Sequence, residues 1–256
     1  MKKEDRNTII EQSKIDNILK ENGKCHNYYK YYSKKTTIQK IVQNKCMFAS
    51  DGREWNDLVD ARDFNSDDNC YRFGICFSSY QAESVAMWML YGGKGKDGAM
   101  IDFTGTINKL PNGIKGKSLE LFTKNEKGYL PINKRVKIID SYFYDVAYCS
   151  KNGLFFKANG ENYLVESFDD IISKEKIAIK KDYQWHYEKE TRLVFEVDKK
   201  NIINLIKEYN NLYLKIDINE YLTEKVLTTI KESPMNDYKI NYVSSDLCGK
   251  IDWDID

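Results

Sequence analysis

Apolar residues recur at helical spacing over 7–22, where Ile10, Ile15, Ile18 and Leu19 are followed by Gly23 in the place of a helix-ending glycine. The aromatic cluster Tyr28–Tyr32 predicts a strand, and Ile38, Ile41 and Val42 fall on one face of a short helix over 36–44. A second strand over Cys46–Ser50 is closed by the turn Asp51-Gly52, and the polar, acid-rich stretch 53–69 reads as a long loop with one helical turn. Tyr71–Ser78 reads as a strand. Ala82–Tyr91 is a helix apolar on most sides and hence buried, and Ala99–Phe103 resumes as a strand.

Next, 105–135 mixes polar residues with Gly105, Gly113, Gly116, Gly128, Pro111 and Pro131, and is expected to be a surface insertion. Val136–Ile139 and Tyr142–Tyr148 alternate weakly, as a hairpin does. A helix is expected over 161–180, a strand over 185–197, a helix over 202–209, alternation over 212–218, a helix over 220–231 and a strand over 238–243. Strands and helices interleave without strict alternation, which favours an α+β fold over a doubly wound sheet, in a single domain spanning 1–256.

Composition narrows the chemistry. Forty Lys+Arg against 39 Asp+Glu leave a formal charge of +1, so a nucleic-acid partner depends on a local basic patch and not on a global field. Two His, and six Cys with no C-x-x-C pair, match no common zinc-site pattern, and no metal is expected. Dispersed thiols suit a reducing compartment. No apolar run reaches the roughly 18–20 residues of a membrane span, and the start MKKEDRNTIIEQSK has no apolar signal core. A cytoplasmic location without membrane attachment follows as the expectation. With histidine so scarce, acid–base chemistry falls to carboxylates, and 19 tyrosines supply stacking surfaces.

Several motifs have a plain reading beside a chemical one. Gly93-Lys94-Gly95-Lys96-Asp97-Gly98 matches G-x-G-x-x-G, but a helix precedes it and a strand follows, the reverse of a dinucleotide fingerprint. Glu188, Glu190 and Arg192 share one face of the expected strand, with Trp185, His186 and Tyr187 just upstream to shield it. Two carboxylates one strand-step apart raise each other's pKa unless a cation lies beside them, which makes the pair a candidate catalytic centre as well as a candidate surface ion pair. A nuclease of the D…E-x-K type needs Lys where Glu190 stands. Ser78 and Ser79 end a strand without the G-x-S-x-G elbow, so pairing with His26 or His186 is disfavoured. Asn56, Asp57 and Asp60 could bind a hard cation, and an Asx-rich turn explains them equally.

In order along the chain, Tyr29-Lys30-Tyr31, Trp55-Asn56-Asp57-Leu58-Val59-Asp60, Cys76-Phe77-Ser78, Met87-Trp88-Met89-Leu90-Tyr91, Gly98–Phe103 and Glu188-Lys189-Glu190-Thr191-Arg192 resemble the motifs of the bacterial domain of unknown function 2971. The 55–60 segment lacks that family's Pro and both Phe. The layout more distantly resembles the ADP-ribosyltransferases. That resemblance implies mixed or antiparallel sheets split around a cleft with flanking helices, and NAD as the bound substrate. It implies Glu190 beside an oxocarbenium-like ribose, with Glu188 orienting or deprotonating the acceptor. Tyr29, Lys30, Tyr31, Ser78 and Tyr91 would then hold NAD, although Lys30 and Tyr31 stand where that superfamily has Arg or His. The expectation is therefore a transferase, a toxin or anti-phage effector, acting on a protein or nucleic-acid acceptor, with an antitoxin as a candidate partner. The alternative is a non-catalytic nucleotide-sensing or partner-binding module.

Overall fold

The computed structural model describes residues 12–234 apart from 25, 68, 80–82, 94–96, 151–152, 159–160 and 166–179. Its elements run α1 (Gln12–Gly23), β1 (Tyr29–Tyr32), α2 (Lys35–Asn44), β2 (Cys46–Ser50), α3 (Leu58–Asp63), β3 (Cys70–Ser78), α4 (Val85–Tyr91), β4 (Ala99–Asp102), α5 (Leu110–Ile114) and β5 (Ser118–Asn125). They continue with β6 (Gly128–Asp145), β7 (Ala147–Ser150), β8 (Gly153–Ala158), β9 (Glu161–Val165), β10 (Lys180–Asp182), β11 (Glu190–Asp198), α6 (Ile203–Glu208), β12 (Tyr213–Asp217), α7 (Glu224–Thr228) and β13 (Lys231–Glu232).

β3 and β11 are apolar at most positions because both of their faces are covered. They pair antiparallel from Glu190↔Ser78 to Asp198↔Cys70, and the other edge of β11 pairs with β6. The order β11-β6-β5-β12-β2-β3, with β3 returning to β11, closes a ring of six antiparallel strands and removes their free edges. Inside the ring Phe73, Ile75, Phe77, Leu193, Phe195 and Leu214 are buried together. Outside it, Ile15 and Leu19 of α1 pack on Tyr144, Val146 and Val194. β1, β4 and β13 extend the sheet from the end of β3, where Tyr29 pairs with Ser78, and a separate sheet runs β10-β7-β8-β9. No helix among the described residues is long and apolar enough to cross a membrane.

This closed barrel corrects the expected α+β architecture of split sheets with flanking helices. The strand carrying Glu190 is a stave hydrogen-bonded on both sides, by β3 and β6, and does not border an opening between two sheets. The expected insertion at 105–135 instead supplies β5 and the start of β6, a ribbon whose Leu121 and Val136 enter the core. Residues 161–165, expected to be helical, form β9 and Lys180 opens β10; 166–179 and 238–243 lie outside the described residues.

The glycine-rich loop also finds a structural explanation. Gly93 has φ +68, and a Cβ there would lie 2.5 Å from the Ser33 carbonyl oxygen. A Cβ on Gly98 would lie 2.2 Å from the Gly92 carbonyl oxygen and 2.6 Å from that of Tyr32. The glycines thus let the return from α4 to β4 press against the end of β1. Gly98→Ala is expected to destabilise the protein by about 1–3 kcal/mol, the usual cost of overpacking. Urea unfolding measures this, and an unchanged midpoint would contradict it.

Candidate functional site

Three strand ends meet at one point: Ser78 closes β3, Glu190 opens β11 and Tyr29 opens β1. Upstream of β11, Tyr183–Glu188 forms a 3₁₀ helix whose first turn is capped by Asp182, and Lys189 ends it in the left-handed region at φ 40. Glu188 therefore does not lie on the strand. The expected common strand face of Glu188, Glu190 and Arg192 is corrected to Glu190 and Arg192 alone, with Glu188 delivered by the preceding turn.

The two glutamates nevertheless converge on one cation. Lys181 Nζ on β10 is 2.5 Å from Glu188 Oε2 and 2.7 Å from Glu190 Oε2. The second approach lacks hydrogen-bond geometry, so the buried Oε2 of Glu190 has an ionic neighbour but no hydrogen-bond donor. Arg192 is fully buried and donates from Nε to Glu190 Oε1 at 2.7 Å. Its two Nη atoms donate to both oxygens of Asp60 on α3, at 3.0 and 2.9 Å. Its guanidinium lies 4.1 Å from the Trp55 ring centroid, and its stem crosses Gly74, where a Cβ would be 3.0 Å from Arg192 Cδ. At the outer end the Tyr91 hydroxyl donates to Glu188 Oε1. The result is a file of alternating charge: Asp60, Arg192, Glu190, Lys181, Glu188.

Position in this file separates the glutamates. Burial raises the pKa of Glu190, but the charges of Arg192 and Lys181 and the Arg192 hydrogen bond overcome it and hold the carboxyl well below the usual range. Burial also raises Glu188, and there it prevails over the opposing Lys181 charge and the hydrogen bonds from Lys181 and Tyr91. Lys181 is itself held charged against burial by both glutamates. Glu190 is thus held in its charged form, and Glu188 is the member whose protonated form burial favours.

The outer three members, Glu190, Lys181 and Glu188, floor a cleft of about 260 Å³, just below the usual range for ligand pockets. Tyr29, Lys30, Tyr31, Ser78, Tyr91, Glu188 and Glu190, singled out in the sequence, all line it. Trp55, Cys76, Met87, Lys181 and Trp185 line it too, and of these Lys181 carried no sequence signal, since it stands in an undistinguished basic and aromatic run. Several lining groups have structural duties: Ser78 Oγ donates to the Glu188 carbonyl, while the Tyr31 hydroxyl accepts from Ser84 N at the start of α4 and its ring meets Trp88 edge-on.

Other candidates have structural partners of their own, although Asn56 and Asp57 also line the cleft. His26 pairs with Asp145 at 3.0 Å, and His186 stacks on Tyr183, so neither ring reaches a serine hydroxyl. Asp60 is committed to Arg192, while Asp57 accepts backbone N–H groups of Asp60 and Asp182. Among the described residues no group of three or more His, Cys, Asp or Glu is placed to hold a metal ion. Compared with protein-family models, curated proteins and solved structures, the chain matches none.

Arg192→Met leaves Asp60 buried without its cation and Glu190 with Lys181 alone, and is expected to cost about 3–5 kcal/mol at pH 7 in urea unfolding. Lys200→Met, at an exposed pair with Asp198, is the control and should leave the midpoint unchanged. A second expectation concerns pH. Because the folded pKa of Glu190 lies below the unfolded value of about 4.3, its charge contributes stability that is fully present above that value and is lost as pH falls through the folded one. The stability gap between wild type and Glu190→Gln should therefore narrow on acidification from pH 6. A gap that widens would contradict the assignment of Glu190 as the low-pKa member.

Proposed function

We propose that the cleft transfers a glycosyl group from a nucleotide, with NAD as the substrate and ADP-ribose as the group transferred. The reading is carried by one observation: Glu188 and Glu190 share Lys181 on the floor of an aromatic-walled cleft, with their pKa values driven in opposite directions. Chemistry at a glycosidic centre uses two carboxylates in different protonation states. The activity is argued from this site, on a barrel and not on the split-sheet fold.

In the proposed reaction the bond between nicotinamide N1 and ribose C1′ breaks, and its electron pair leaves with neutral nicotinamide. Positive charge develops on the ribose. Three carboxylates against two cations leave the file with one negative charge in excess, the sign that this charge requires. The acceptor nucleophile bonds to C1′ and yields its proton to ionised Glu188, whose raised pKa makes it the better base of the two. The cleft is sized for the nicotinamide riboside end, and Tyr29, Trp55 and Trp185 offer aromatic surface to a planar ring. The rest of NAD would extend outward past Lys30.

A second reading, a nucleotide- or partner-binding module without chemistry, draws on the two cations that already neutralise Glu190. Incubation with NAD and a cell lysate separates the two. Nicotinamide release with a labelled acceptor is expected, and Glu188→Gln should reduce it at least about 100-fold while leaving the fold intact. Lys181→Met should displace the acidic limb of the residual rate to higher pH, because the cation that lowers the Glu188 pKa is gone. Bound NAD without nicotinamide release, or full activity in Glu188→Gln, would overturn the transfer reading.

A further inference from the structure

We infer that the outer face of β2, β12, β5 and β6 is a platform for single-stranded nucleic acid, contiguous with the cleft. The charge that the chain as a whole lacks is concentrated here. Residues 109–137 hold eight Lys or Arg against Glu120 and Glu126, in a chain of formal charge +1. Most of those side chains lie on the β5–β6 ribbon and its flanks, exposed to solvent. The ribbon is bent by a register shift between Glu120 and Phe122, opposite Asn133 at φ +58, so its tip leans over β12 and β2.

The same face carries aromatic rings where a barrel exterior ordinarily carries polar side chains. Leu121, Leu214, Met47 and Ala49 point inward, so Phe122, Tyr213 and Phe48 project outward by strand alternation. Tyr129, paired with Lys124, lies flat on Phe48 with ring centroids 3.7 Å apart and planes 8° apart, and its edge meets Tyr213. It is 39% exposed, and Lys124 Nζ lies 5.7 Å from its ring centroid. A ring backed by a second ring and bordered by a cation is what an unpaired base requires: a stacking surface, with phosphate attraction beside it. Duplexes hide their base faces, so the geometry favours single strands.

The platform meets the cleft through three hydrogen bonds. Lys124 N donates to Asn211 Oδ1, Asn211 Nδ2 donates to Glu54 Oε1, and the Tyr213 hydroxyl donates to Glu54 Oε2. Glu54 lines the cleft beside Trp55. A strand lying on Tyr129 would therefore run toward the carboxylates, which makes it the acceptor class for the transfer proposed above. That assignment as acceptor rests on the transfer reading; the binding surface does not.

Fluorescence anisotropy with a labelled single-stranded 20-mer, as RNA and as DNA, tests the surface on the full chain. Binding should weaken as salt rises, linearly on logarithmic axes, as phosphate contacts demand. Tyr129→Ala should weaken it at least about fivefold, the low end for one lost stacking contact. Lys124→Ala should flatten the salt dependence, and both variants should keep the wild-type circular dichroism spectrum. Absence of salt-dependent binding, equal binding by Tyr129→Ala, equal or tighter binding of the duplex, or equal competition by polyglutamate would each overturn the inference. Nicotinamide release does not enter these readouts, so the surface and the activity fail separately.

Discussion

The buried guanidinium of Arg192 is the constraint around which the rest is arranged. A charge with no exposure to water has to be met on every side, and here Asp60 fills one edge of the fork, Glu190 the stem nitrogen and Trp55 a face. Each partner comes from a different part of the chain. Asp60 draws α3 onto the barrel wall, and Trp55 fixes the loop before it. Gly74 has no side chain because the Arg192 stem occupies that space on the neighbouring stave. A hydrophobic replacement of the whole cluster would fill the volume at no necessary loss of stability, so what the ion pairs secure is geometry. They fix where the first residue of β11 presents its carboxylate.

From that fixed point the file of alternating charge carries order outward to the cleft. Glu190 is committed to Arg192, which leaves its second oxygen for Lys181; Lys181, held charged by both glutamates, in turn positions Glu188. Among the described residues the carboxylate of this last member accepts a hydrogen bond from a tyrosine hydroxyl, Tyr91, and it lines the cleft together with Lys181 and Glu190. Two glutamates of identical chemistry thereby acquire pKa values shifted in opposite directions through their place in a sequence of neighbours, while both histidines have partners elsewhere.

Much of this was legible in the amino-acid sequence, and the failures are physical ones. The strand 71–78, the helix before Tyr91 and the inward set Leu193, Phe195 and Val197 follow from periodicity, because burial on a known face is what periodicity records; the expected burial of that helix on most sides holds for Met87 and Trp88 and fails for Val85 and Leu90, which are exposed. Closure of the ring was not legible, since pairing of β11 with both β3 and β6 joins residues more than a hundred and about fifty positions apart. The β5–β6 ribbon was hidden for the opposite reason: much of it is solvated, so Lys, Gly and Pro there resemble an insertion, though Leu121 and Val136 already point to a core. The seven cleft residues named from sequence do share one cleft. The placement of Glu188 on the strand failed at Lys189, whose left-handed backbone no hydrophobic pattern announces.

That left-handed residue has a consequence for the chemistry. On a continuous strand the Glu188 and Glu190 side chains would project in parallel from alternate positions, each facing the same solvent and each beside Arg192's face. Turning the backbone at Lys189 brings Glu188 round to Lys181 from the opposite side, so that the lysine stands between the two carboxylates. An interposed cation lowers both pKa values, yet Glu190 alone also has Arg192, and the difference between one cation and two is what separates the pair. The asymmetry between the two carboxylates therefore originates in one backbone angle and one buried arginine.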